Sequence, residues 1–331
     1  MGLNKVRGTL LGIIIVLAVV ALLGWTRSDD TITAPSVEEF VYTDIPEASF
    51  GPAISEKGYH VEEIGEGLYW VTEGVYQVMF LTTGEGVIVV DAPPSIGENV
   101  LNAIAEVTDE EITHVIYSHS HADHIASASM YPEDAVYIAH EETAKRLADN
   151  AGRNFGVFVG GSGVPEPTQT FSEKMILEVG SQTLELDYRG VNHNEGSIFI
   201  YAPEQKVLML VDVIFPGWSM FKDLAITSDV PGFIGAHDVA LSYDFDVLVS
   251  GHVGRLGTRE DVETQKEYVL DMLSNAGTAL QTVDFNGIAA EVGYTNLWLL
   301  FDTYLDELSA ECAALTLEKW DGKLAAADVF T

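Results

Sequence analysis

Residues Ile112–Ser120 (ITHVIYSHS) form a short apolar run that ends in His119-Ser-His121-Ala-Asp123-His124. The run has the length and β-branched content of a buried strand. Three of the nine histidines therefore fall within six positions, where that strand gives way to a turn. In extended backbone, residues two apart share a face, so His119 and His121 can grip one metal ion. Asp123 and His124, where the chain turns into the next helix, can address a second. Neutral imidazoles and carboxylates suit Zn2+, Fe2+ or Mn2+ at about 2.0–2.2 Å. A solvated histidine cluster is the plain alternative, and three further histidine and aspartate positions downstream weigh against it.

The rest of the chain reads as short strands alternating with helices, an α/β pattern. GLYWVTEG and VYQVMFLTTGEGVIVVDAPP are β-rich, with a hairpin signal at Thr83–Gly86. A helix is expected over 96–107, then a strand in AVYIAH and a helix over 141–150. Residues 151–168 form a Gly- and Pro-rich loop carrying Phe155 and Phe158. Strand pairs follow in MILEVGSQTLELDY and SIFIYAPEQKVLMLVDVIF, and FDVLVSGH is a last buried strand ending at His252. Helices are expected over 259–283 and 288–317, broken at Asn286–Gly287, with an apolar stripe through Leu297, Leu300, Phe301, Tyr304, Leu305 and Leu308.

From about Val61 to Gly254 the chain resembles the metallo-β-lactamase superfamily of metallohydrolases. The resemblance rests on VIVVDAP at Val87–Pro93, H-x-H-x-D-H at His119–His124, and His193 in VNHNEGS. It continues with Asp212 in LMLVDVIF and His252 in VSGHVG. It implies a four-layer αββα sandwich over 59–256, with a C-terminal helical extension, 257–331, packed on it. It also implies two divalent metal ions, zinc first and iron or manganese as alternatives. One would be held by His119, His121 and His193, the other by Asp123, His124 and His252. Asp212 and a hydroxide would bridge them, and Asp123 would carry a proton to the leaving group. Asp91 would support the ligand loops. The chain departs from the family wording in Ala126-Ser127 after the hallmark, and in Val191-Asn192-His193-Asn194 around the third histidine.

Two further features bear on function. Gly8–Trp25 carries no charge and follows Lys5 and Arg7; at 1.5 Å per residue it spans about 27 Å as a helix, close to a bilayer core. Residues 1–27 are expected as a signal anchor or a signal peptide, with residues 28–58 a linker, which puts the enzyme in the periplasm or outside the cell. The membrane contact is expected through that segment only. Sixteen basic against 51 acidic residues give a formal charge of −35, a field that repels nucleic acid. The single cysteine, Cys312, excludes an internal disulfide.

Fold does not select a substrate. Scarce bases argue against the anionic conjugates of glyoxalase II, and Asp212 stands where the Cys-containing zinc β-lactamases present their cysteine. Phe155, Phe158, Trp218, Met220 and Phe221 lie in loops flanking the ligand segments and are candidates for an apolar wall, core packing being the alternative. Asn194 is a candidate substrate donor or a local turn residue. The expected activity is opening of a small ester, lactone or amide with an apolar acyl group. The alternatives are a β-lactamase and a non-catalytic, membrane-tethered metal-binding or sensory protein. A small-molecule substrate and a monomer or homodimer are expected.

Overall fold

Consecutive strands that are apolar on both faces need a layer on each side, and residues 78–81 and 87–90 are all fully buried. The structure is a computed structural model that describes residues 42–153, 159–161 and 163–330. Its first sheet is an antiparallel meander of β1 (His60–Gly65), β2 (Leu68–Thr72), β3 (Gln77–Thr82) and β4 (Val87–Val90). It continues in parallel through β5 (Ile112–Ile116), β6 (Val136–His140) and β7 (Gln169–Phe171). The second sheet contains β8 (Lys174–Val179), β9 (Gln182–Asp187), β10 (Phe199–Ala202) and β11 (Val207–Met209), all antiparallel. Its edge is β12 (Val247–Val249), parallel to β11.

The alternation along β3 and β4 divides the core. Met79, Leu81, Ile88 and Val90 meet Leu186, Ile200 and Met209 between the sheets. Val78, Phe80, Val87 and Val89 face the opposite way, toward Val100 and Ile104 of α1 (Asn99–Val107). The short α2 (Ala122–Ile125) and α3 (Glu141–Asp149) complete that outer layer, through Ile125 and Leu147. On the far side, Phe199, Leu208 and Leu210 pack under α4 (Val230–Leu241) and α5 (Arg259–Thr282). Helix, sheet, sheet, helix is the layering expected.

The C-terminal helices differ from their expected bounds. α5 is followed by α6 (Phe285–Val292), α7 (Leu297–Trp320) and the short α8 (Ala327–Phe330). Asn286–Gly287 is not a break but the first turn of α6, because Asp284 caps it by accepting from the Asn286 N–H at 3.0 Å. The expected stripe on α7 is only partly covered: Leu300 is buried, whereas Leu297, Phe301 and Leu305 are exposed.

Residues 1–27, expected as an anchor or signal peptide, lie outside the described residues, as do Phe155 and Phe158. Among the described residues, no helix is long and apolar enough to cross a membrane.

Candidate metal centre

Parallel pairing at two places aims strand ends at one point. β4 and β5 end side by side, as do β11 and β12, and the polar residues just beyond them meet between the sheets. His119–His124 follows β5, Asp212 follows β11 and His252 follows β12, while His193 comes from the β9–β10 connection. The Asp91 N–H donates to Ile116 O at 2.8 Å and the Asp212 N–H to Ser250 O at 3.2 Å. Both aspartates hold φ +62°, a left-handed conformation that ends the strand and turns the carboxylate inward.

All seven side chains converge in two groups that share Asp212: His119, His121 and His193 on one side, Asp123, His124 and His252 on the other. Asp212 Oδ2 lies 3.3 Å from both His119 Nε2 and His193 Nε2. Its other oxygen, Oδ1, lies 3.0 Å from both His124 Nε2 and His252 Nε2. Ring nitrogens also face one another, His121 Nδ1 and His193 Nε2 at 2.9 Å, His124 Nε2 and His252 Nε2 at 3.1 Å. His119 Nε2 and Asp123 Oδ1 are buried without a hydrogen bond. Buried lone pairs aimed at each other are costly unless something positive lies between them. The donor set, five imidazoles and two carboxylates, is one that divalent cations of the zinc type accept.

The metallo-beta-lactamase superfamily profile matches residues 71–252, the segment carrying every one of these side chains. The chain belongs to that superfamily. It is similar to the 2,4-dinitroanisole O-demethylase subunit alpha of Nocardioides sp. (strain JS1661), 28% identical over 212 residues, which make up 62% of this chain and 61% of that one. It is also similar to the metallo-beta-lactamase type 2 of Bacillus cereus, 25% identical over 57% of this chain and 71% of that one. Among solved structures, a metallo-beta-lactamase from Pontibacter korlensis superposes with TM-score 0.53 at 20% identity, covering 64% of this chain and 99% of the other. A stereoselective inverting sec-alkylsulfatase from Pseudomonas sp. gives TM-score 0.55 at 18% identity, over 79% of this chain and 50% of that one. Superfamily membership makes the protein an enzyme of a class that is generally metal-dependent and hydrolytic.

Electrostatics set the protonation of the ligand groups in different directions. Burial pushes His121 down to about 2 and His193 to about 3, so both are neutral, the form that ligates. Burial also disfavours a charge on His252, but Asp212 and Asp123 outweigh it and raise His252 to about 10. Burial alone would raise Asp123, yet hydrogen bonding to His252 and the charge of His124 hold it below the usual carboxylate range.

The supporting residues are specific. Asp91 Oδ1 accepts from the Ser118 N–H at 2.8 Å, and Ser118 Oγ lies 2.9 Å from His119 Nδ1, which orients that ring. The remaining histidines pair elsewhere: His140 Nδ1 accepts from the Glu142 N–H at the start of α3, and His237 Nδ1 lies 3.1 Å from Phe233 O.

A cavity of about 320 Å3 opens over the centre, lined by His121, Asp123, His193, Asp212 and His252, with Val75, Tyr76, Phe215, Phe221, Ala225 and Ile226 as its other walls. Ala225 and Ile226 belong to a left-handed turn, with φ +56° and +58°. Of the expected substrate residues, Phe221 lines this cavity. Trp218 lies beyond it, with its Nε1 donating to Ser49 O at 3.0 Å. Asn194 is buried and absent from the lining; its Oδ1 accepts from Ser197 Oγ at 3.1 Å, a local turn. Neither α5 nor α7 contributes to the lining. After His252 the chain leaves through 253–258, and α5 packs on the outer face of the second sheet.

Sequence reasoning missed Tyr76 and Gln77. Gln77 is fully buried, and its Nε2 donates to His252 O and Val253 O, each at 2.7 Å. A lone amide inside the run VYQVMFLT was the available signal.

Proposed function

We propose that this protein is a binuclear metal-dependent hydrolase that opens a small uncharged ester or lactone. Two zinc-type ions would be held by His119, His121 and His193 and by Asp123, His124 and His252, with Asp212 shared between them. When bound, such ions polarise a carbonyl oxygen and lower the pKa of water toward 7. The observation that carries the reading is the division of Asp212, one oxygen to each ligand group, at the floor of a cavity with no Lys or Arg among the described residues that line it. Beyond the ions and His252, an anionic substrate would find no lysine or arginine among the described wall residues to pair with it. Asp123 Oδ1, free of hydrogen bonds, is available to hold a proton and pass it to the leaving group. Phe215, Phe221 and Val75 give the walls beside the reacting atoms an apolar surface.

A second reading, β-lactam hydrolysis, is favoured by the similarity to the Bacillus cereus enzyme. The similarity to an O-demethylase subunit adds an uncharged aryl ether to the candidates. Because the match spans 61% of that subunit, its activity is not transferred whole. The uncharged run Gly8–Trp25 behind Lys5 and Arg7 supports export and membrane attachment of the enzyme.

The test is a panel of chromogenic lactone, ester and β-lactam together with 2,4-dinitroanisole, presented to the purified chain with metal content measured and with chelator added. Chelator-sensitive turnover of the lactone or ester supports the proposal. Turnover of the β-lactam alone selects the second reading. Retained metal with no turnover of any member points to the non-catalytic alternative.

A further inference from the structure

The metal cavity leads into another. Past Val75, Phe215, Phe221 and His252, which belong to both, lies a chamber of about 490 Å3 walled by Phe50, Pro52, Ala53 and Trp218. Apart from His252, the described residues that line it include no titratable side chain. Three of its side chains, Phe50, Val75 and Phe221, are 57%, 59% and 51% exposed although large and apolar. Apolar exposure gathered at the mouth of a concave site marks a surface that a ligand covers.

The chamber is built with parts of the chain outside the family match at 71–252. Residues 49–53 come from before β1, and Ala326 from just before α8. Both are tied to the 215–221 loop. Ser49 Oγ donates to Gly217 O at 2.7 Å, the Ala325 N–H to Gly217 O at 2.9 Å, and Ser219 Oγ to Ala326 O at 2.8 Å. Beneath, the backbones at Gly51, Gly74 and Gly254 cross so closely that a β-carbon on Gly51 would collide with the carbonyl of Gly254. The metal-centre side chains thus all lie within the family match, whereas this chamber joins residues of that match to residues from outside it.

We propose that the chamber is a second subsite, which holds the unreacting, uncharged tail of the substrate, a linear alkyl chain or a single aryl ring, while its reacting group lies over the metal centre. The proposal rests on the hydrolase reading for the reacting group and on the chamber alone for the tail. Apolar burial is worth about 0.8 kcal/mol per methylene, so binding should tighten about three- to four-fold for each carbon added until the chamber is full.

The experiment separates the two readings. Calorimetry of the metal-loaded chain with 1-butanol, 1-hexanol and 1-octanol reads the chamber without turnover. The acetate, butyrate, hexanoate and octanoate p-nitrophenyl esters read it with turnover. Ala53→Trp fills the chamber from an exposed position, and Phe50→Asp places a charge at its mouth; neither residue is part of the metal centre. The expected result is affinity and kcat/KM rising with chain length in the parent chain and flat in both variants, with acetate ester turnover unchanged. Length-dependent alcohol binding that both variants abolish, without hydrolysis of any of these esters or of the lactone in the panel, upholds the chamber and overturns the ester and lactone hydrolase reading. Alcohol affinity that is independent of length, or unaltered in both variants, overturns the chamber whatever the esters do.

Discussion

The Tyr76 hydroxyl donates to Asp123 Oδ2 at 3.1 Å, and the tyrosine ring lies 4.3 Å, centroid to centroid, from that of His252. One side chain from the β2–β3 turn therefore steadies two members of the same ligand group. Burial, with the nearby carboxylates, pushes the phenol upward, so it stays protonated and a donor. Tyr76→Phe keeps the ring and removes the donor. A hydrogen bond to a charged group is worth about 1.5–3 kcal/mol, so kcat should fall about ten-fold or more with KM little changed. Steady-state kinetics on the best substrate of the panel checks this. An unchanged kcat would remove Tyr76 from the site's machinery.

Asp212→Asn isolates charge from shape, because asparagine also tolerates the φ of +62° found there. Of the two oxygens, one facing each ligand group, one becomes an NH2 that cannot ligate, so at least one ion should be released more readily to a chelator, with a strong loss of turnover. Metal analysis after dialysis against a competing chelator measures it. Wild-type retention would place Asp212 outside the centre.

Gln77→Leu preserves volume but withdraws the donor shared by His252 O and Val253 O. Unpaired buried carbonyls cost about 1–3 kcal/mol, which thermal unfolding of the metal-free protein should read directly. The loop bearing His252 should loosen with it, so metal affinity falls alongside Tm. A stability loss with metal affinity unaltered would limit Gln77 to packing.

Asp261 supplies the pH dependence. Burial would raise it, but the Arg255 guanidinium, bonded at 2.6 and 3.0 Å, and the Thr258 N–H hold it below its ordinary 3.8. A depressed carboxyl contributes stability that is full above its unfolded value and is lost as pH falls toward its folded one. The stability gap between the parent chain and Asp261→Asn should accordingly be constant at neutral pH and shrink below 3.8. Urea titrations of both proteins across that range decide it, and a gap that widens in acid reverses the assignment.

Much of this was legible because it depends on residue type at strand ends. His119, His121, Asp123, His124, His193, Asp212 and His252 are polar groups beside apolar runs, and VYQVMFLT and VIVV read as strands from their β-rich composition, while the four-layer arrangement came from the family resemblance. Tyr76 escaped because a turn tyrosine next to a strand carries no pattern. The apolar chamber escaped because its walls come from residues 49–53, 215–221 and 326, which only tertiary contact brings together. The bounds of α6 turned on one side-chain cap at Asp284 outranking the Asn286–Gly287 turn signal.

The crossing of bare backbone at Gly51, Gly74 and Gly254 has a mechanical consequence. Gly254 stands two residues beyond His252, and the carbonyls between them are clasped by Gln77. A methyl group added at residue 51 cannot be absorbed by a rotating side chain, since the atoms it meets are main chain. The main chain it meets at 254 lies two residues from the imidazole of His252. Substitutions at the rim, such as those at Phe50 or Ala53, can therefore retune which tails are accepted while leaving the ions alone. One at the pivot presses on the main chain that carries His252.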